Sequence, residues 1–178
     1  MAATVHPDPC PLPLLFLDVD GPLIPFGGTG YPTARDPTDP ADNPLLARLD
    51  PAVGPRLLAL RCELVWATTW GPEANEAVAP RIGLPPLPVV DWPEPAEDEG
   101  RDGLHWKTRP LLARAAGRPF AWIDDEITPA DRAWTGARHP EPAFLCRVDP
   151  RTGLTDADFE ALTRWRARAG GQSDVRWR

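Results

Sequence analysis

Two aspartates one residue apart, Asp18 and Asp20, sit in the apolar run Leu14 to Leu23 (LLFLDVDGPL) and are followed at once by Gly21. In an extended chain, residues two apart point to the same side, so both carboxylates face one region as the strand gives way to a loop. Like charges that close raise each other's proton affinity unless a cation sits between them or one stays protonated. Hard oxygen ligands at a strand end suit Mg²⁺. A second apolar run, PFAWIDDE, also ends in paired carboxylates, Asp124 and Asp125. Two strands that finish in the same way point to chemistry more strongly than either does alone.

Other polar residues carry less weight singly. ELVWATTWG ends in Thr68 and Thr69, whose hydroxyls could hold a phosphate oxygen, although threonine is common in strands and at helix caps. HWKTRPLL places Lys107 at the start of a helix, where the helix dipole is already positive, so a negative partner is expected.

The elements that must position these residues alternate short apolar runs with helical stretches, the pattern of a parallel sheet covered by helices on both faces, an α/β fold. Strands are expected at Leu14 to Asp18, Glu63 to Thr68, Leu87 to Val90, Pro119 to Asp124 and Ala143 to Val148. Each is apolar on both sides, as strands buried on two faces are. Helices are expected near Asn43 to Arg61 with a break around Pro51 to Pro55, then Pro72 to Ile82, Thr108 to Ala116, Pro129 to Ala137 and Thr155 to Ala169. Thr155 and Asp158 have the spacing of an N-terminal cap for the last. Most of the 25 prolines fall in the connections, including the Pro/Gly loop Ile24 to Asn43 and the acidic loop Pro85 to Gly103. The reading is one domain over 14–169, an N-terminal extension over 1–13, and a frayed tail over 170–178.

A chain of 178 residues with a formal charge of −7 and no basic run is one domain with little broad attraction for nucleic acid or anionic membrane. Small ligands are the expected partners, and nucleic acid is not. Cys10, Cys62 and Cys146 form neither a CxxC nor a cluster with histidine, and read as structural thiols in a reducing cytoplasm. No segment approaches the roughly 18 apolar residues of a membrane span.

With its motifs in this order, the sequence resembles the haloacid dehalogenase (HAD)-like hydrolases, mostly Mg²⁺-dependent phosphatases. The resemblance rests on DVDG at Asp18 to Gly21, a strand ending at Thr68, Lys107 before a helix, and IDDE at Ile123 to Glu126. It implies a Rossmannoid three-layer fold with strand order 3-2-1-4-5 and a site at the carboxyl ends of strands one, two and four. It further implies that Asp18 is the nucleophile and that Asp20 is the general acid and then base. Mg²⁺ would be held by Asp18, the Asp20 carbonyl and an acid of the fourth motif, Asp125 directly with Asp124 as its neighbour, or the reverse. Thr68, with Thr69 as the lesser choice, would donate to the phosphoryl group, Lys107 would neutralise charge, and Gly21 would line the substrate site. Pro22 departs from the family's usual small or β-branched residue.

The intervals between motifs are too short for a large cap domain, so a minimal cap is expected. The resemblance implies a phosphorylated small molecule or an exposed phosphoester as partner, and such an open site suits a large or macromolecular phosphoester, or else an oligomer supplies the lid. Among eight tryptophans, Trp66 and Trp122 lie within strands and read as core, whereas Trp70 and Trp106 flank motifs and could stack on an aromatic substrate. A non-catalytic phosphate-binding or interaction module is the competing class, and a dehalogenase a weaker third, because displacing halide at carbon requires no metal cage.

Overall fold

The computed structural model describes residues 11–31, 43–93 and 103–171. Four parallel strands, β1 (Leu14–Leu17), β2 (Glu63–Trp66), β3 (Phe120–Asp124) and β4 (Ala143–Arg147), form a sheet in the order β2-β1-β3-β4. Every residue of β1 is fully buried, and alternation divides them between two cores. Leu15 and Leu17 join one face with Leu57, Ile82, Leu162 and Trp165, while Leu14 and Phe16 join the other with Leu111, Phe120 and Trp122. The helices are α1 (Val53–Ala59), α2 (Ala79–Ile82), α3 (Thr108–Ala115), α4 (Pro129–Arg138) and α5 (Asp156–Gly171). The result is the three-layer α/β fold expected from unbroken apolar strands.

One expected strand is absent. Residues 87–90 lie beside the outer edge of β2, where a third-numbered strand belongs, but they make only an isolated parallel bridge between Val89 and Trp66. The Trp66 N–H donates to the Pro88 carbonyl at 2.8 Å and the Val90 N–H to the Trp66 carbonyl at 2.9 Å. Pro85, Pro86 and Pro88 have no N–H to donate, so the ladder cannot extend. The sheet therefore has four strands, with the proposed order kept in space and its first member reduced to a bridge.

Prolines also shape the helices. The expected helix Asn43 to Arg61 divides into a 3-10 turn, Pro44–Arg48, and α1. Before α2 the chain makes a π turn over Ala74–Val78, in which the Ala79 N–H reaches the Ala74 carbonyl five residues back. Pro80 lacks an N–H and its ring crowds the carbonyl four residues back, so the wider turn relieves a clash that an α-helical register would impose. At α5, Thr155 and Asp158 form the expected cap, with Asp158 Oδ2 accepting from Thr155 N at 2.9 Å and Oγ1 at 2.6 Å.

Cys62 and Cys146 are free thiols. Burial pushes Cys62 up to about 11, and burial followed by the nearby Asp158 charge pushes Cys146 up to about 12, consistent with unreactive structural roles. No described helix is long and apolar enough to cross a membrane. Cys10, the acidic residues 94–99 and the tail 172–178 lie outside the described residues.

The sheet's first face depends on a close approach between α1 and α2. A Cβ added at Gly54 would lie 1.7 Å from the Ile82 carbonyl oxygen, so only glycine fits. Gly54→Ala should lower the unfolding free energy by about 3 kcal/mol, read as a lower urea midpoint with an unchanged m-value.

Candidate active site

Strand register assembles the site. Leu17 pairs with Ile123, which makes Asp18 and Asp124 the next neighbours, and the Asp18 N–H donates to the Ile123 carbonyl at 3.1 Å. On the other side Leu17 pairs with Trp66, so β2 delivers Thr68 to the same end of the sheet. β1 lies between neighbours reached in opposite directions along the chain, the switch point where open parallel sheets bind ligands.

Lys107 fills the space between the two strand ends. Its Nζ donates to Asp18 Oδ2 at 2.7 Å and to Asp124 Oδ2 at 2.8 Å, and all three side chains are buried. These are the negative partners that a lysine at a helix N-terminus needs. Burial pulls the ammonium down, but the two carboxylates together carry it above its ordinary value. Asp18 is raised as well: burial lifts it, Lys107 opposes, Asp124 adds to the rise, and the net is about 7. The Val19 N–H donates to Asp18 Oδ1 at 2.8 Å, so the carboxylate is oriented at both oxygens.

Asp124 is fully buried and engaged at both oxygens. Its Oδ2 also accepts from Trp122 Nε1 at 3.2 Å, and its Oδ1 accepts from the Glu126 N–H at 2.9 Å. Trp122 is core, as expected, yet its indole N–H also braces the site. Asp125 is half-buried, and burial followed by the Asp124 charge raises its carboxyl. Asp18, Asp124 and Asp125 each offer an oxygen within 4.8 Å of the others. Three carboxylates against one ammonium leave an excess of negative charge, and this all-oxygen donor set fits a hard divalent cation. Gly21 makes room for the Asp125 side chain: its φ is +83°, and a Cβ there would lie 2.6 Å from Asp125 Cγ.

The remaining expected residues divide. The Asp20 carboxylate stands outside the three-carboxylate group and accepts from Trp70 Nε1 at 2.9 Å. Trp70, read from sequence as a stacking face, packs its ring against the core and holds Asp20. Thr68 is buried, and its Oγ1 accepts from the Trp70 N–H at 3.3 Å, which leaves the hydroxyl proton to donate. Thr69 is exposed.

Two residues outside the four motifs hold the lysine loop: His105, which by sequence alone reads as an ordinary loop histidine, and Asp131, which has no sequence signal of its own for a site role. His105 Nδ1 accepts from the Lys107 N–H at 3.2 Å, and its Nε2 pairs with Glu126 at 3.0 Å, which makes the ring a brace with the proton on Nε2. Asp131, fully buried at the start of α4, accepts from Thr128 N at 2.8 Å and Thr128 Oγ1 at 2.7 Å in a capping box. Its other oxygen accepts from His105 N at 2.8 Å and Thr108 Oγ1 at 2.6 Å, tying the loop around Lys107 to α4. The T-x-x-D spacing was visible in the sequence; the long-range half of the bonding was not.

A parallel sheet that delivers two acidic strand ends and a lysine from a helix N-terminus to its switch point has the arrangement of the HAD-like hydrolase superfamily. Residues 14–159 match the family model described as the HAD domain in Swiss Army Knife RNA repair proteins, and the chain belongs to that family. No curated protein and no solved structure matches it.

Burial alone would raise the Asp131 carboxyl, but its hydrogen bonds from Thr108, Thr128 and the His105 backbone hold it below the ordinary carboxylate value. The stabilisation is therefore fully present above the unfolded value near pH 4 and is lost as pH falls through the lower folded value. Asp131→Asn should cost about 2–3 kcal/mol at neutral pH, and the gap from wild type should shrink in urea titrations taken below about pH 4. Gly21→Ala should displace Asp125 and lower divalent-cation affinity, measured by calorimetry, by about tenfold or more.

Proposed function

We propose that this protein is a Mg²⁺-dependent phosphohydrolase that removes a terminal phosphate from an RNA end through Asp18. The observation that carries the reading is the bonding of one buried lysine to both Asp18 and Asp124, with Asp125 completing a three-carboxylate group. A degenerate, merely binding site has no need of two bracketed carboxylates together with the Asp20 carboxylate held by Trp70.

In this reading an Asp18 oxygen attacks phosphorus, the bond to the leaving oxygen breaks, and Asp20 gives that oxygen its proton. Asp20 then takes a proton from water, which attacks the aspartyl phosphate, releases inorganic phosphate and restores the Asp18 carboxylate. Lys107 holds Asp18 and offsets the negative charge brought by the phosphoryl group. The Thr68 hydroxyl donates to a phosphoryl oxygen, and Gly21 leaves room beside Asp125. Asp18, Asp125 and the Asp20 carbonyl would hold Mg²⁺, with Asp124 as their neighbour; its oxygens are already engaged by Lys107, Trp122 and Glu126, which supports that division. When bound, the cation supplies charge stabilisation to the transferring phosphoryl group.

The RNA end is supported by the description of the family and by the open site. Among the described residues only a 3-10 turn and α1 separate β1 from β2, and only a π turn, α2 and one bridge lie between β2 and Lys107. The charge of −7 speaks against broad attraction to nucleic acid, but recognition of a single terminal phosphate needs no such field.

Phosphate release from an aryl phosphate and from terminally phosphorylated RNA should require Mg²⁺, stop with a chelator and return when the ion is restored. Asp18→Asn should lower it by on the order of a thousandfold or more. No release from any phosphoester with Mg²⁺ present would favour the non-catalytic module.

A further inference from the structure

Beside the carboxylate group runs a groove of about 570 Å³, within the range of small-ligand sites, bounded by Phe26 and Gly27 on one side and Arg147, Asp149, Pro150 and Arg151 on the other. Its first wall belongs to the Pro/Gly loop leaving β1, and its second to the loop between β4 and α5. The walls are joined: the Phe26 N–H donates to the Pro150 carbonyl at 2.7 Å, and the Tyr31 hydroxyl donates to the Arg151 carbonyl at 2.9 Å while accepting from the Gly28 N–H at 2.7 Å. The groove is thus a fixed part of the fold.

Its polar groups are distributed unevenly. Arg151 is committed to Asp149, with Nε and Nη2 donating to the two carboxylate oxygens at 3.1 and 2.8 Å, so this pair is close to neutral. Arg147 is exposed, and register sets it opposite Asp124. Its Nε donates to the Asp125 carbonyl at 3.1 Å, which fixes the guanidinium beside the site and leaves its terminal nitrogens as the groove's unbalanced positive charge. Phe26 is 43% exposed, one of few large apolar side chains presented to solvent.

An aromatic face and a fixed guanidinium, one step from a phosphate-accepting centre, are the pairing that holds single-stranded nucleic acid. Resting on the phosphatase reading above, we infer that this groove is the subsite for the penultimate nucleotide, next to the one that bears the terminal phosphate. Phe26 stacks on its base, and Arg147 bonds the phosphodiester that links it to the terminal nucleotide. The segment carrying Phe26 thereby selects a polynucleotide end over a mononucleotide. Against a net charge of −7, Arg147 supplies positive charge at the edge of the site, where a strand's phosphodiester can be met.

Binding tests this apart from turnover. In the intact Asp18→Asn protein, which leaves the probe uncleaved, anisotropy of a fluorescein-labelled single-stranded tetraribonucleotide with a terminal phosphate reads the affinity. Adding Phe26→Ala or Arg147→Gln, both at surface positions, should weaken binding about tenfold. Arg147→Gln should also reduce the slope of log K against log salt by about 0.7, the value for one phosphate on a single strand. The inference is overturned if both variants bind as Asp18→Asn alone does with the same salt slope, or if a phosphorylated mononucleoside competes as strongly as the tetranucleotide. Failure of the wild type to hydrolyse any phosphoester would sink the phosphatase reading while the binding result stood by itself.

Discussion

The site depends on one buried ammonium bonded to two buried carboxylates from adjacent strands. Removing Lys107 would leave Asp18 and Asp124 side by side out of water, and each ion's desolvation would go uncompensated. Much of the surrounding structure holds this lysine still. His105 accepts its backbone N–H, Asp131 binds the residues on either side of it, and Trp122 supports the carboxylate it meets. The pair of strands is equally constrained, since a register slip of one residue between β1 and β3 would move Asp124 to the far face of the sheet.

This arrangement also explains why the charge is not fully balanced from within. Lys107 serves two carboxylates, and Asp125 adds a third at half-burial. A second buried lysine would offset that charge only at its own desolvation cost. The incomplete balance preserves a place for a ligand, as strain or uncompensated charge at functional sites commonly does.

The strand ends were legible because carboxylates that terminate an apolar run have no packing role, and Lys107 stood out because its position opposed a helix dipole. Helix positions followed from spacing, and the cap at Thr155 from side-chain type. What could not be read were relations across the sheet. Nothing local to Asp131 reveals that its second oxygen binds Thr108, and nothing local to Trp70 reveals that its N–H turns to Asp20 instead of a ligand. The missing strand at residues 87–90 had a local cause in its prolines, but the apolar pattern of Leu87 to Val90 masked it. The π turn before α2 is similar: Pro80 forbids a regular register, and only the packed structure shows which deviation resolves it.

The proline-laced segment along the outer side of β2 has a further effect. An open parallel sheet presents a row of unused donors and acceptors at its rim, onto which a second chain can add. Here that rim meets a segment that bonds at a single point and, having few amides to offer, cannot propagate the ladder outward. The same prolines that shorten the sheet therefore guard it against intermolecular strand pairing and self-association into fibres.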